Sequence, residues 1–409
     1  MNNKEYDLVI VGAGLSGLKL AELLKGSELN ILLIEKRDTI KTLTKNYFGT
    51  FLEYIDRWKL DKYLLYKCGW GMYSTETKYF NNLEGKSLCV LEMNAWAESL
   101  KLDCDISLNT QIVKTRREKN KIILIDKNDK EIVTRLVVDA TGIAQTISSS
   151  LGIKKSKIDF LNYVYIMENH SLENQAEMFY FEDTDLTNCG GWFHTLEPGR
   201  CLVGCAEYTV PGSLGKIELK KRLDSYIRNF HPLNSYLKNA KVVEEFCMAG
   251  PTTTEHSSIA EDNYISMGDA AGAGGPFIGD GFRMAFAMAD SAYSTIKTAF
   301  SLEDFSKKTL KIHAKNFKKE FGKWYKWSYL FRFVWVRYLT NTEMNLFAKN
   351  LKKLSDDDYY KILTSKFSPL ILWRLFTLKI FVNVFKNFII YHFLEPIGLA
   401  KIKRRPKVL

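Results

Sequence analysis

A strand that breaks into glycine and resumes as a helix opens the chain, in the stretch YDLVIVGAGLSGLKLAELL at residues 6–24. The β-branched run up to Val11 reads as a buried strand, and Leu18, Leu20, Ala21 and Leu24 recur at helical intervals. Between them Gly12, Gly14 and Gly17 hold the G-x-G-x-x-G spacing. In a strand–turn–helix that spacing assigns Gly12 to the tight turn, Gly14 to the close approach of a pyrophosphate and Gly17 to helix–strand packing. The free amides and positive end of the helix then face the phosphates. A second apolar strand, residues 30–34, leads into Glu35, whose carboxylate can accept hydrogen bonds from a ribose diol. Lys36 joins the candidate cofactor residues, and Arg37 raises the alternative of a 2′-phosphate partner.

Two further small-residue turns accompany this one. Residues 121–142 predict a hairpin and a strand that stops at Asp139-Ala140-Thr141-Gly142. Residues 268–282, GDAAGAGGPFIGDGF, carry six glycines between the apolar Tyr264, Ile265 and Met267 and a small-residue helix starting near Phe282. Glycine loses more conformational freedom on ordering than any other residue, so such density implies tight turns or a ligand lying against the main chain.

In order and spacing, GAGLSG with Glu35, DATG at 139–142 and GDAAG at 268–272 resemble the large FAD-dependent family of aromatic hydroxylases, flavin halogenases, geranylgeranyl reductases and lycopene cyclases. The resemblance covers about residues 5–295. It implies FAD as cofactor, with Asp269 on ribityl or ribose oxygens and the helix start at Gly279, Gly281 and Phe282 facing the flavin pyrimidine edge. Thr141, Gly142, Gly268 and Pro276 complete the implied cofactor set. The implied fold class is α/β: a Rossmann-like FAD-binding domain of the glutathione-reductase, aromatic-hydroxylase-like type (residues 1–150 and 250–300), an antiparallel β-sheet substrate domain (151–249) and a basic, aromatic C-terminal helical region (301–409).

Strand-like runs recur at residues 162–167, 176–181, 190–196 and 201–208, separated by turns such as Glu197-Pro198-Gly199-Arg200. The sheet they predict would wall a substrate cavity, with Tyr180, Trp192 and Phe193 as candidate lining residues. The arrangement AEMFYF…CGGWFHTLEPGRCLVGCAEY looks like the geranylgeranyl reductase branch, and Pro276, Gly279 and Gly281 match that branch's glycine loop. Three features depart from it. His194-Thr195 replaces part of the branch's W-x-F-P element, Asp280 interrupts its run of glycines, and Met93 lies near the place of an Arg often found there. Residues 45–53, KNYFGTFLE, are instead similar to an element of lycopene cyclases. Both branches act on long polyisoprenoid chains.

No protein nucleophile is called for, since G-x-S-x-G is absent, and a flavin would carry the hydride. His194 is the candidate proton donor because an imidazole can titrate near neutrality, with Glu53 and Cys68 as weaker candidates. The expected function is an FAD-dependent reductase of prenyl-lipid C=C bonds, supplied by NAD(P)H or a reduced ferredoxin-like protein. The alternative is an FAD monooxygenase, halogenase or lycopene-cyclase-like enzyme on a hydrophobic substrate.

The chain carries a net charge of +11, unevenly placed: from Lys315 onward 20 Lys+Arg stand against 6 Asp+Glu. Residues 321–339 hold nine aromatics among four cations. In the run that follows Pro369, Arg374, Lys379 and Lys386 interrupt the apolar residues, so no uncharged interval reaches the ~20 residues of a spanning helix. On a helix, Lys379, Asn383, Lys386 and Asn387 share one face, with Leu378, Phe381, Val382, Phe385 and Ile389 around the rest. That pattern, with the cationic tail KIKRRPKVL, predicts a segment lying on an anionic membrane. No nucleic-acid recognition module accompanies the patch. Seven cysteines without a CxxC pair read as thiols, six scattered histidines predict no metal site, and no leader-like start is visible. A cytoplasmic protein, peripheral on the cytoplasmic membrane, is the expectation.

Overall fold

The computed structural model describes residues 5–43, 45–172, 177–209, 218–252, 258–366, 368–397 and 399. The opening strand Glu5–Val11 is central to a parallel sheet, flanked by Ile31–Ile34 on one side and Glu131–Asp139 on the other. Asp105–Ser107 and Tyr264–Ser266 extend it in parallel, so the segment after residue 260 returns to complete the first domain. The hairpin read from residues 121–142 is present as Lys121–Asp126 paired antiparallel with Glu131–Asp139. Leu8, Val9, Ile10, Leu33, Val137 and Val138 are fully enclosed, which suits their unbroken apolar pattern, since a parallel sheet is covered on both faces.

A seven-stranded sheet forms the second layer. Phe160–Glu168, Arg200–Tyr208 and Gly191–Thr195 pair antiparallel, and Met178–Glu182 follows Gly191–Thr195. The division at residue 150 needs correcting here: Trp70–Ser74 pairs parallel with Met178–Glu182, and Lys78–Asn81 makes the edge beyond it. The outer face of this sheet packs on the helix Leu219–Asn229 through Phe179, Phe181, Phe193 and Tyr226.

Helices Lys323–Tyr338, Asn341–Leu351 and Asp356–Leu363 close the opposite face. The expectation of an aromatic surface belt at 321–339 fails for most of its rings. Phe321, Phe331, Trp335 and Tyr338 are buried, and Trp327 is the exposed large aromatic among the described side chains of this stretch. The apolar surface lies later, where Leu370, Trp373, Leu378, Phe381, Val382, Phe385 and Phe388 are exposed. The cationic tail at 401–409 lies outside the described residues.

One buried ion pair fastens the helical layer to the rest. Arg332 donates from Nη2 to Asp159 Oδ2 at 2.9 Å, and Asp159 also accepts from the Thr252 amide at 2.8 Å. Removing the carboxylate strands a buried guanidinium, so Asp159→Ala should cost about 3–5 kcal/mol in urea unfolding. Arg332→Met with Asp159→Leu should recover part of that loss.

Candidate active site

Two of the three N-terminal glycines are demanded by the fold and one is not. A Cβ on Gly12, where φ is +107°, would lie 2.3 Å from the Ala140 carbonyl oxygen, and one on Gly17 would lie 1.9 Å from that of Gly12. A Cβ on Gly14 would meet nothing within 4 Å. Gly14 is also the N-cap of the helix Leu15–Leu23, which has no side-chain cap and no acid in its first turn. Open space before uncapped amides is what a pyrophosphate needs, so these residues fit the dinucleotide read from the spacing.

Glu35 is buried at the end of its strand and clamps this turn. Its Oε2 accepts from the Ala13 amide at 2.8 Å, and Oε1 accepts from the Arg37 amide and Nε at 3.0 Å each. Burial raises its pKa, but the Arg37 and Ala13 hydrogen bonds outweigh that and hold it below the usual range. Arg37 folds back onto Glu35 and the Ala13 carbonyl, whereas Lys36, the other candidate cofactor residue here, is exposed beside the same turn. Asp139, fully buried, accepts from the Thr141 amide and hydroxyl and shapes the turn at Gly142, where φ is +63°. Gly268 ties the glycine loop to the first helix, since a Cβ there would lie 2.9 Å from Ser16 Oγ.

The rest of that loop borders a cavity of about 190 Å³. Phe277 to Phe282 line one side, including Gly279 and Gly281, while Pro276 is buried behind them. A Cβ on Gly281 would meet nothing within 4 Å, which leaves the start of the helix Gly281–Ser301 open to a ligand. Asp280, the departure noted in the sequence, caps this helix by accepting from the Arg283 amide and pairs with Arg283 Nε at 2.8 Å. Asp269 sits at the turn before it; desolvation by the surrounding protein pushes its carboxyl up to about 6 against the pull of Lys45.

Sheet alternation decides which predicted lining residues reach the cavity. Tyr180, Trp192 and His194 do; Phe193 does not. Successive side chains on a strand face opposite ways, and Phe193 stacks on Phe179 (ring centroids 4.9 Å apart) in the outer layer. Trp192 lies across Gly204, whose Cβ would be 2.7 Å from its ring. Burial, aided by Lys45, drives His194 down to about 3, so it stands neutral at physiological pH and the expectation of a titrating proton donor is not met. Glu53 is exposed and Cys68 is buried with its thiol pushed up to about 12; neither lines the cavity.

Sequence reasoning missed three contributors. Lys45 enters the cavity from the segment before the strand Tyr47–Phe51, a stretch singled out for its resemblance but not for this charge. Asn162 lines the wall with an amide oxygen that has no hydrogen-bond partner among the described residues. Trp335, Phe347, Leu351, Tyr359, Ile362 and Leu363 roof it from the C-terminal helices. Their apolar periodicity was visible, but it could not show which surface they cover.

This architecture, a glycine-turn cradle leading into an apolar cavity between a sheet and helices, is the fold of FAD-dependent oxidoreductases. The chain belongs to the lycopene cyclase protein family, whose model matches residues 7–387. It is 26% identical over 385 residues to a digeranylgeranylglycerophospholipid reductase of Methanococcus vannielii, covering 88% of this chain and 94% of that one. The structure of a geranylgeranyl bacteriochlorophyll reductase-like protein from Thermoplasma acidophilum superposes with a TM-score of 0.76 at 17% identity, covering 97% and 98% of the two chains. A p-nitrophenol 4-monooxygenase from Pseudomonas putida superposes at 0.68 with 15% identity, covering 88% and 98%.

The glycine contrast is directly testable. Gly14→Val should fold with near-native urea stability yet lose bound flavin absorbance, because only the ligand needs that space. Gly17→Val should fail to fold, its side chain colliding with the Gly12 carbonyl.

Proposed function

We propose that the protein is an FAD-dependent reductase that saturates C=C bonds of a prenyl lipid at a membrane surface. The observation that carries this reading is the cavity wall: apart from Lys45, Asn162, His194, Asp280 and Arg332, it is built almost wholly from apolar and aromatic side chains around the glycine loop. An uncharged polyisoprenoid segment suits such a wall. FAD, held by the turns at Gly12–Gly17, Thr141–Gly142 and Gly268–Asp269, would supply the hydride, drawn from NAD(P)H or a reduced ferredoxin-like protein. The chain's own residues orient the substrate and exclude water. Tyr180, its hydroxyl held by the Cys189 carbonyl and Glu182, and Trp192 against Gly204 give the cavity a rigid floor. The name borne by the Methanococcus relative agrees with this substrate class.

Cavity size supports the membrane part of the reading. At about 190 Å³ it is smaller than the roughly 300 Å³ that encloses a drug-sized ligand, so a two-tailed lipid would enter by one segment only. The remainder needs an apolar place to stay. The helix Leu378–Ile389 turns Asn383 and Asn387 inward, onto Glu343 Oε1 (2.9 Å) and the Tyr338 carbonyl (2.8 Å). Its stripe of Leu378, Phe381, Val382, Phe385 and Phe388 faces outward, flanked by exposed Lys379 and Lys386. A helix that merely covered its own domain would point the other way. Among the described residues no helix is long and apolar enough to cross a membrane.

Two experiments test these statements. Protein reduced anaerobically should be reoxidised by a geranylgeranyl lipid with gain of two hydrogens per bond; product that forms only with oxygen would mark a monooxygenase instead. In sedimentation with anionic vesicles, Phe381→Asp with Phe385→Asp should lower partition at least tenfold, since each apolar side chain taken from water contributes about 1.5–3 kcal/mol. Raising salt should weaken wild-type binding only in part, because ~1 kcal/mol per cation is screened while apolar burial is not.

A further inference from the structure

Among the described residues, Lys45 is the cavity-lining charge without a carboxylate partner. Asp280 is already paired with Arg283, and Arg332 with Asp159. The Lys45 ammonium forms no ion pair with a described carboxylate and stands 4.7 Å over the ring of Phe48. Phe48 in turn contacts Phe282, the second residue of the helix Gly281–Ser301, at 5.6 Å between ring centroids. A lysine cation and the start of a 21-residue helix, capped by the Asp280 carboxylate, therefore border the same cavity, with the open face of Gly281 between them and a ligand. Burial lowers the Lys45 pKa, and the more distant Asp280 and Asp269 only partly restore it. An arrangement that costs stability in the protein alone suggests a ligand that carries or acquires negative charge there.

We propose that Lys45 is a catalytic residue whose ammonium stabilises the negative charge the flavin acquires on reduction; this rests on the flavin reading above. Two electrons and one proton from the donor leave the reduced cofactor one unit more negative than the oxidised form, and the Lys45 ammonium would balance that unit. The residue thus sets how readily the cofactor accepts a hydride, independently of which substrate later takes it.

The test uses the full-length protein loaded with FAD, under argon, and reads the cofactor rather than turnover. The reduction potential is measured against a reference dye, and sulfite affinity reports the same charge, because the sulfite adduct of a flavin is anionic. Lys45→Met should weaken sulfite binding roughly ten- to hundredfold, as expected for losing a cation from the wall of the same cavity. The potential should fall by about 30 mV for each factor of ten in the two-electron equilibrium. Lys45→Arg should stay within threefold of wild type. Should Lys45→Met not fold, Lys45→Gln, uncharged but polar, is read in its place and should show the same loss. An unchanged potential and sulfite affinity in the uncharged variant, or equal losses in that variant and in Lys45→Arg, would overturn the proposal while leaving the flavin reading intact. Failure of wild-type protein to bind FAD would overturn the flavin reading itself.

Discussion

The buried guanidinium of Arg283 is the contact on which the site depends. It has no solvent exposure and must find partners for its N–H groups inside the protein. Nε goes to Asp280 at 2.8 Å, Nη1 to the Tyr54 hydroxyl at 3.3 Å, and Nη1 and Nη2 to the Thr364 carbonyl at 3.3 Å. The cation also lies over the rings of Phe51, Tyr54 and Phe321. Through one side chain the glycine loop, the segment after the strand Tyr47–Phe51 and the C-terminal helices are held in a common frame. A lysine could not replace it, because a point charge cannot span three directions with a planar fork.

That frame explains the Asp280 departure in the glycine loop. A carboxylate at a helix N-terminus is favourable by itself, and here it also neutralises Arg283. With both charges spent on structure, the cavity keeps its apolar character up to the loop. Among the described residues, the lining cation without a carboxylate partner, Lys45, arrives from a different part of the chain, ahead of the strand Tyr47–Phe51.

The C-terminal helices serve two surfaces at once. Phe331, Trp335 and Phe347 form a cluster with centroid distances of 4.9–5.9 Å that roofs the cavity, while the later helices expose their apolar side. The half-buried hydrogen bonds of Asn383 and Asn387 fix which side that is. An amide left unpaired at a packed face would cost about 1–3 kcal/mol, so the polar residues choose the face that offers Glu343 and the Tyr338 carbonyl.

How much of this was written in the chain follows from how local each requirement is. Gly12, Gly14 and Gly17, the turn at Asp139–Gly142 and the 268–282 loop were legible because the conformations and close approaches they need lie within a few residues of one another. The strand runs of the second sheet were legible from their patterns, whereas the parallel sheet was expected only through the family resemblance, and the joining of Trp70–Ser74 to Met178–Glu182 is a long-range pairing no local pattern shows. Tertiary structure alone decided that Trp192 and His194 face the cavity while Phe193 does not, since the side a strand presents depends on which layer packs against it. It alone decided that Asn383 and Asn387 turn inward, because their partners sit about 40 to 50 residues earlier in the chain. It also left Lys45 without a paired carboxylate among the described residues. Whether a charge is matched depends on residues more than two hundred positions away, and no local pattern records that distance.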